Sequence, residues 1–260
     1  MKMPGRTTLL RGLIVPSLLL FSLPLAAADY HLRLRRDADE MSDPQGRVRG
    51  GKNQTIDLWI GSDRARRDLG SSSVILRLDT QRLYLLDTSQ KTYCEQKVKI
   101  EGESAVAESP SSQPREAREA MLEVFGWKVE TKETTTPKTV GPWTSKKTEI
   151  RLTNAAGRRA AIDWWGAAEI TIADRPYRLL VSALQSLEMS GGAWVGELAK
   201  LPFSALLEAR VAGPDVEFTS REELLALESQ EVPKAKWEAP TDFRKLSGDA
   251  CLELAHPEVW

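Results

Sequence analysis

Histidine is nearly absent from this chain. Only His31 and His256 occur among 260 residues, and neither lies in an HExxH motif or a Cys/His cluster, so a zinc site lacks its usual ligands. A Ser-His-Asp triad would have to recruit one of these two, and no GxSxG elbow accompanies them. GxGxxG, GxxxxGKS and GxxxxGKT are missing as well, which removes the backbone loops that cradle phosphates. With 2 Cys and no CxxC, thioredoxin-like redox chemistry is unsupported. The 14 Pro and 17 Gly are too few for a fibrous or low-complexity chain. The formal net charge is −1, and setting aside Lys2, Arg6 and Arg11 leaves the remainder at −4. Such a balance gives no general electrostatic reason to bind nucleic acid or an anionic membrane. Acidic residues are plentiful, but sequence does not separate a catalytic carboxylate pair from surface acids.

What is present begins with an address. Lys2, Arg6 and Arg11 precede an apolar run from Leu13 to Leu25, and Ala26-Ala27-Ala28 closes it before Asp29. This basic, apolar, small-residue order is that of a secretory signal peptide over 1–28, with a mature chain of 29–260. The run falls short of the roughly 20 residues a spanning helix needs and carries Pro16 and Pro24. No Cys follows the alanines to accept a lipid, and no later apolar stretch reaches spanning length. The expected location is periplasmic or secreted, with no integral membrane segment after cleavage. In such an oxidising compartment Cys94 and Cys251 have two outcomes, a bridge or two separate buried thiols, and sequence leaves both open.

From Tyr30 to Val98 apolar residues recur every second position, the period of antiparallel strands. Leu32 and Leu34 alternate with Arg33 and Arg35, Ile56, Leu58 and Ile60 with Asp57 and Trp59, and Val74, Leu76 and Leu78 with Arg77 and Asp79. Turn residues at Gly50-Gly51, Gly61-Ser62-Asp63 and Gly70-Ser71-Ser72 punctuate a meander. Its apolar face needs cover from helices, a second sheet or a ligand. A polar stretch over 101–113 reads as a loop, and a helix is expected from Pro114 to Phe125. Strands resume at Trp127–Thr135, Lys147–Thr153 and Ala160–Trp165, the first two separated by a loop that includes Pro137 to Pro142. Tyr177, Leu180, Val181 and Leu184 predict a second helix, and Trp194, Leu198 and Leu201 a short third one. Residues 220–228 fit strand or helix. No repeat is visible, and 29–260 reads as one domain. Arg64-Ala65-Arg66-Arg67-Asp68 is a local basic patch suited to a lipid phosphate or an acidic partner, or to a solvated strand face.

Aromatic composition is unusual, with 8 Trp against 5 Phe and 4 Tyr. Trp59, Trp127, Trp164 and Trp165 fall on expected strands, where flat side chains can line an apolar cavity or serve as ordinary core.

Several short pieces then resemble, in order, an exported domain-of-unknown-function family. They are Leu58-Trp59-Ile60-Gly61-Ser62-Asp63-Arg64-Ala65-Arg66, Leu76-Arg77-Leu78-Asp79, Leu83 to Asp87 through Lys91-Thr92-Tyr93, and Glu231-Val232-Pro233 with Trp237-Glu238-Ala239-Pro240. Such domains are similar to the LolA, LolB and LppX superfold of lipoprotein and lipid carriers. The resemblance implies an α+β fold in which a curved antiparallel half-barrel is covered on its concave face by a few helices. Val140-Gly141-Pro142-Trp143 lacks the cysteine expected after the Gly. The resulting expectation is a non-enzymatic protein, with no cofactor and no metal, binding a lipid, acyl chain or lipoprotein among Trp59, Leu76, Leu85, Trp127, Ile162 and Trp164. The alternative is an envelope adaptor or sensor that contacts another envelope protein and has no ligand cavity.

Overall fold

The computed structural model describes residues 29–42, 48–108, 128–187, 200–213 and 216–254. The expected helix over 114–125, most of the third helical stripe and the expected signal segment lie outside these residues. The first meander comprises β1 (Tyr30–Ser42), β2 (Val48–Ile60), β3 (Arg64–Leu69), β4 (Ser72–Arg77), β5 (Arg82–Asp87) and β6 (Thr92–Glu101), with β7 (Ser104–Ala107) folded back on β6. A second run holds β8 (Lys128–Val140), β9 (Trp143–Thr153) and β10 (Arg159–Ala167), then β11 (Ser204–Gly213) and β12 (Val216–Ser229). Helix α1 (Arg175–Leu187) separates β10 from β11. After β12 come a 3-10 turn (Lys234–Trp237), the short β13 (Arg244–Lys245) and helix α2 (Asp249–Leu254).

These strands make one 13-stranded sheet in the order β13-β6-β5-β4-β3-β2-β1-β12-β11-β10-β9-β8, with β7 attached to β6. Every described pairing is antiparallel except that of β13 with β6. Pairing of β1 with β12 sets the two meanders side by side, placing Leu32 opposite both Leu58 and Leu227. Strand alternation is therefore continuous across the seam, and one face of the sheet is apolar. Turn chemistry fits locally: Gly141 has φ 54°, the left-handed value a two-residue hairpin asks of its first central residue, before Pro142 returns the chain to Trp143.

Several expectations change. The sheet is not closed or strongly curled, so the half-barrel gives way to an open sheet. Instead of a few helices on its concave face, the described residues hold α1 and the six-residue α2. Residues 220–228 are strand, because β12 satisfies its backbone against β1 and β11 together. The loop expected from Pro137 is strand too. Pro137 is tolerated because β8 is the edge strand among the described residues and a register shift between Glu133 and Pro137 takes up the irregularity. The polar stretch after Glu101 includes β7.

Helix α1 starts with Pro176 in its first turn, where a missing N–H costs nothing. Its Leu179, Leu180, Ala183, Leu184 and Leu187 form one buried stripe on Ala65, Val74, Leu76, Leu83, Leu85, Cys94 and Val98. The polar flank of the same helix closes a sheet edge. Ser182 Oγ accepts from the Ala105 amide at 3.0 Å and donates to its carbonyl at 3.0 Å, and Ser186 Oγ accepts from the Ala107 amide at 2.8 Å.

Candidate functional site

The inner, apolar face carries separate buried clusters. Leu76 and Leu85 lie beneath α1, 0% and 1% exposed. Ile162 belongs to a separate cluster with Ile150, Leu152, Ala160 and Ala209, and the partly buried Trp164 and Leu207 pack against it. Trp164 donates its indole N–H to the Pro202 carbonyl at 2.9 Å. Trp59 is on the opposite, outer face, where it stacks on His31 with ring centroids 3.8 Å apart and lies under the Lys236 ammonium at 4.8 Å. Trp127 lies outside the described residues. Of the six candidate residues, then, Leu76 and Leu85 come together under the helix, Ile162 and Trp164 come together on β10, and Trp59 joins neither pair. Cys94 and Cys251 form a disulfide that ties β6 to α2.

Sequence reading passed over a buried ionic group on the inner face. Arg36, 1% exposed, lies with its Nε 3.6 Å from Glu222 Oε1, and Arg67 donates from Nη2 to the same oxygen at 3.3 Å. A signal for it existed. Arg36 continues the apolar parity of Leu32 and Leu34, and Arg67 that of Ala65 and Leu69, so strict alternation already directs both guanidiniums inward. Tyr177 of α1 approaches this group. Burial, the Glu222 carboxylate and Asp174 push its phenol up to about 12, against the opposing effect of Arg67.

The outer face is charged. A groove of about 470 Å³ crosses β1, β2 and β9–β12, lined by Asp37, Lys52, Arg151, Asp163, Glu208 and Arg221 among others. Ala161 makes part of its floor between Arg151 and Arg210, which are its partners on the two flanking strands. Lys147 contacts Glu149 at 2.7 Å and Asp163 at 3.3 Å, and its hydrogen bond is the main reason the Glu149 carboxyl lies below its ordinary range. No group of three His, Cys, Asp or Glu side chains suited to a metal occurs among the described residues. No helix among them is long and apolar enough to cross a membrane.

No protein-family profile matches the sequence, and no curated protein matches it. Among solved structures there is distant similarity to PNGF-II, at 9% identity and a TM-score of 0.38, covering 88% of this chain and 33% of that one. The chain thus spans about a third of that protein's length. A DUF1329 family protein from Desulfovibrio piger is similar at 8% identity and a TM-score of 0.22, over 82% of this chain and 90% of the other.

Proposed function

We propose that this chain is a non-enzymatic extracytoplasmic protein, exported to a bacterial periplasm, that holds an acyl chain, a lipid or the lipid part of a lipoprotein against the inner face of its sheet. The observation that supports this reading is a second apolar cluster on that face, separate from the one beneath α1. Helix α1 packs on β3, β4 and β7 and fills the space over Leu76 and Leu85. Ile150, Leu152 and Ile162, 0%, 3% and 2% exposed, form that second cluster on β9 and β10, with the partly buried Trp164, Leu201 and Leu207 packed against it. A hydrocarbon chain inserted at the partly exposed rim of this cluster would gain about 25 cal/mol for each Å² of apolar surface withdrawn from water. The Cys94–Cys251 bridge supports the compartment, since such bonds persist where the environment is oxidising.

The test is native mass spectrometry of gently purified, periplasmically exported protein, followed by lipid extraction. We expect a stoichiometric lipid adduct that Ile162→Arg abolishes and Lys52→Glu, on the outer face, retains. A bare protein mass that also takes up no added lipid would overturn the reading. That outcome would favour the alternative, an envelope adaptor working through protein contacts, for which the charged outer groove is the specific supporting feature.

A further inference from the structure

Folding splits the basic run Arg64–Arg67 between the two faces of the sheet. Arg67 turns inward to Glu222, whereas Arg64 lies on the outer face beside the buried Trp237, its guanidinium 5.0 Å from that ring. Register then sets Arg64 opposite Arg77, Arg77 opposite Arg82, and Arg82 opposite Lys97. Four cations, one on each of β3, β4, β5 and β6, form a straight row spaced by the strand separation of about 4.8 Å. Like charges directly opposite one another destabilise a sheet. Elsewhere on this face opposite signs meet, as in Arg35 with Glu223, Arg221 with Glu208, and Lys132 with Glu149. An acidic row, Glu149, Asp163 and Glu208, also exists, but Lys147 and Arg151 each bridge two of its members.

The basic row has no such internal bridge among the described residues. Its carboxylates stand at the margins, each meeting one arginine of the row: Asp63 with Arg64 at 3.6 Å, Asp79 and Glu238 with Arg77 at 2.5 and 3.7 Å, and Glu95 with Arg82 at 3.1 Å. Asp79 grips Arg77 through both Nε and Nη2, whereas the single contacts of Arg64 and Arg82 are of the weakly held kind. Lys97 is exposed and has no ion-pair partner among the described residues. The three arginine side chains are 20–32% exposed; Arg64 Nε is buried and Asp79 holds the Nε and Nη2 of Arg77, so Arg82 and Lys97 are the more open end of the row.

We infer that the Arg64, Arg77, Arg82 and Lys97 row is a docking surface for the phosphate groups of anionic lipids at a membrane surface. Guanidinium forks match phosphate oxygens, and basic residues facing an anionic leaflet add their attractions. A row of four on a sheet that is not strongly curled can engage several headgroups at once, which a single soluble phosphate cannot reproduce. The attraction is local and acts against a net charge of −4 over residues 29–260, which makes it dependent on close approach of the row. This inference does not depend on a lipid being held on the inner face, and the vesicle assay below reads it separately from the co-purified mass.

The experiment is sedimentation of the intact, disulfide-bonded protein with vesicles of phosphatidylglycerol mixed into phosphatidylcholine, against phosphatidylcholine alone, at rising salt. We expect binding to the anionic vesicles only, weakened by salt. Lys97→Ala should weaken it about fivefold, and Arg82→Glu with Lys97→Glu more than about tenfold. Arg210→Glu, on the same face outside the row, should leave it unchanged. Because Lys97 is exposed, its alanine variant keeps the test open if the double variant fails to fold. Equal binding to both vesicle types, or binding indifferent to the row variants, would overturn the inference. Complete competition by inorganic phosphate at the same phosphorus concentration would also overturn it, in favour of a free-phosphate site.

Discussion

At the scale of single residues, the inner face is governed by a conflict between pattern and charge. Arg36 and Arg67 occupy positions that alternation assigns to the core, and Glu222 stands between their guanidiniums. Removing one member of such a buried group costs far more than the pairing contributes, since the desolvated charge remains. Glu222→Ala should therefore lower unfolding stability by about 3 kcal/mol in urea titrations, while Glu223→Ala, whose carboxylate faces outward to Arg35 and Arg221, should cost under about 1 kcal/mol. Tyr177 supplies a second prediction. Its phenol is held up at about 12 against an ordinary value of 10.0, so between these values the folded chain keeps a proton that the unfolded chain releases. Its contribution is fully present below about pH 10 and is lost as pH rises toward 12. Tyr177→Phe should flatten the alkaline fall in stability over that window, as followed by circular dichroism.

At the scale of elements, the C-terminal segment shows how one sheet edge is finished. Beyond β12, the Arg66 guanidinium donates to the Lys236 carbonyl at 2.9 Å, β13 adds two residues to β6, and α2 presents Cys251 to Cys94. The bridge spans 157 residues of sequence, for which the chain-entropy model gives about 4 to 5 kcal/mol. Replacing both cysteines by alanine should lower the midpoint of thermal unfolding by an amount of that order. The sulfurs belong to residues 0% and 2% exposed, so a mild reductant applied to the native protein should release no titratable thiol until the chain is unfolded. Much of this level was legible beforehand. The stripe of Tyr177, Leu180, Val181 and Leu184 gave α1 its place, and the two-residue period gave β1 to β6. Pro137 and residues 220–228 were misread or left open because local preference is weak there, and pairing partners distant in sequence decide the conformation.

The whole molecule is an open sheet with unequal ends. The β6 side carries β7, β13 and the disulfide, whereas β8 is paired on one side only among the described residues. Lys128, Glu130, Lys132 and Lys138 along β8, together with Pro137, are the residues that discourage addition of a further strand. Central strands β1, β2 and β12 are paired on both sides. Hydrogen exchange should therefore find their amides opening only with global unfolding, and those of β8 opening locally and earlier. Comparable protection in β8 and β1 would show that the edge is covered in solution.

Sequence alone determined the one-sided strands, the amphipathic α1, the hairpin turns and the order of an export signal, because each depends on residues near one another in the chain. It also contained the inward parity of Arg36 and Arg67, although Arg67 reads there as part of a basic patch or solvated strand face. Tertiary structure decided the rest. Whether Cys94 meets Cys251, which of Trp59 and Trp164 faces inward, that β1 seals the seam with β12, and that four cations align across β3 to β6 all depend on register between strands. Register is a property of pairs, fixed only when a whole face is buried at once.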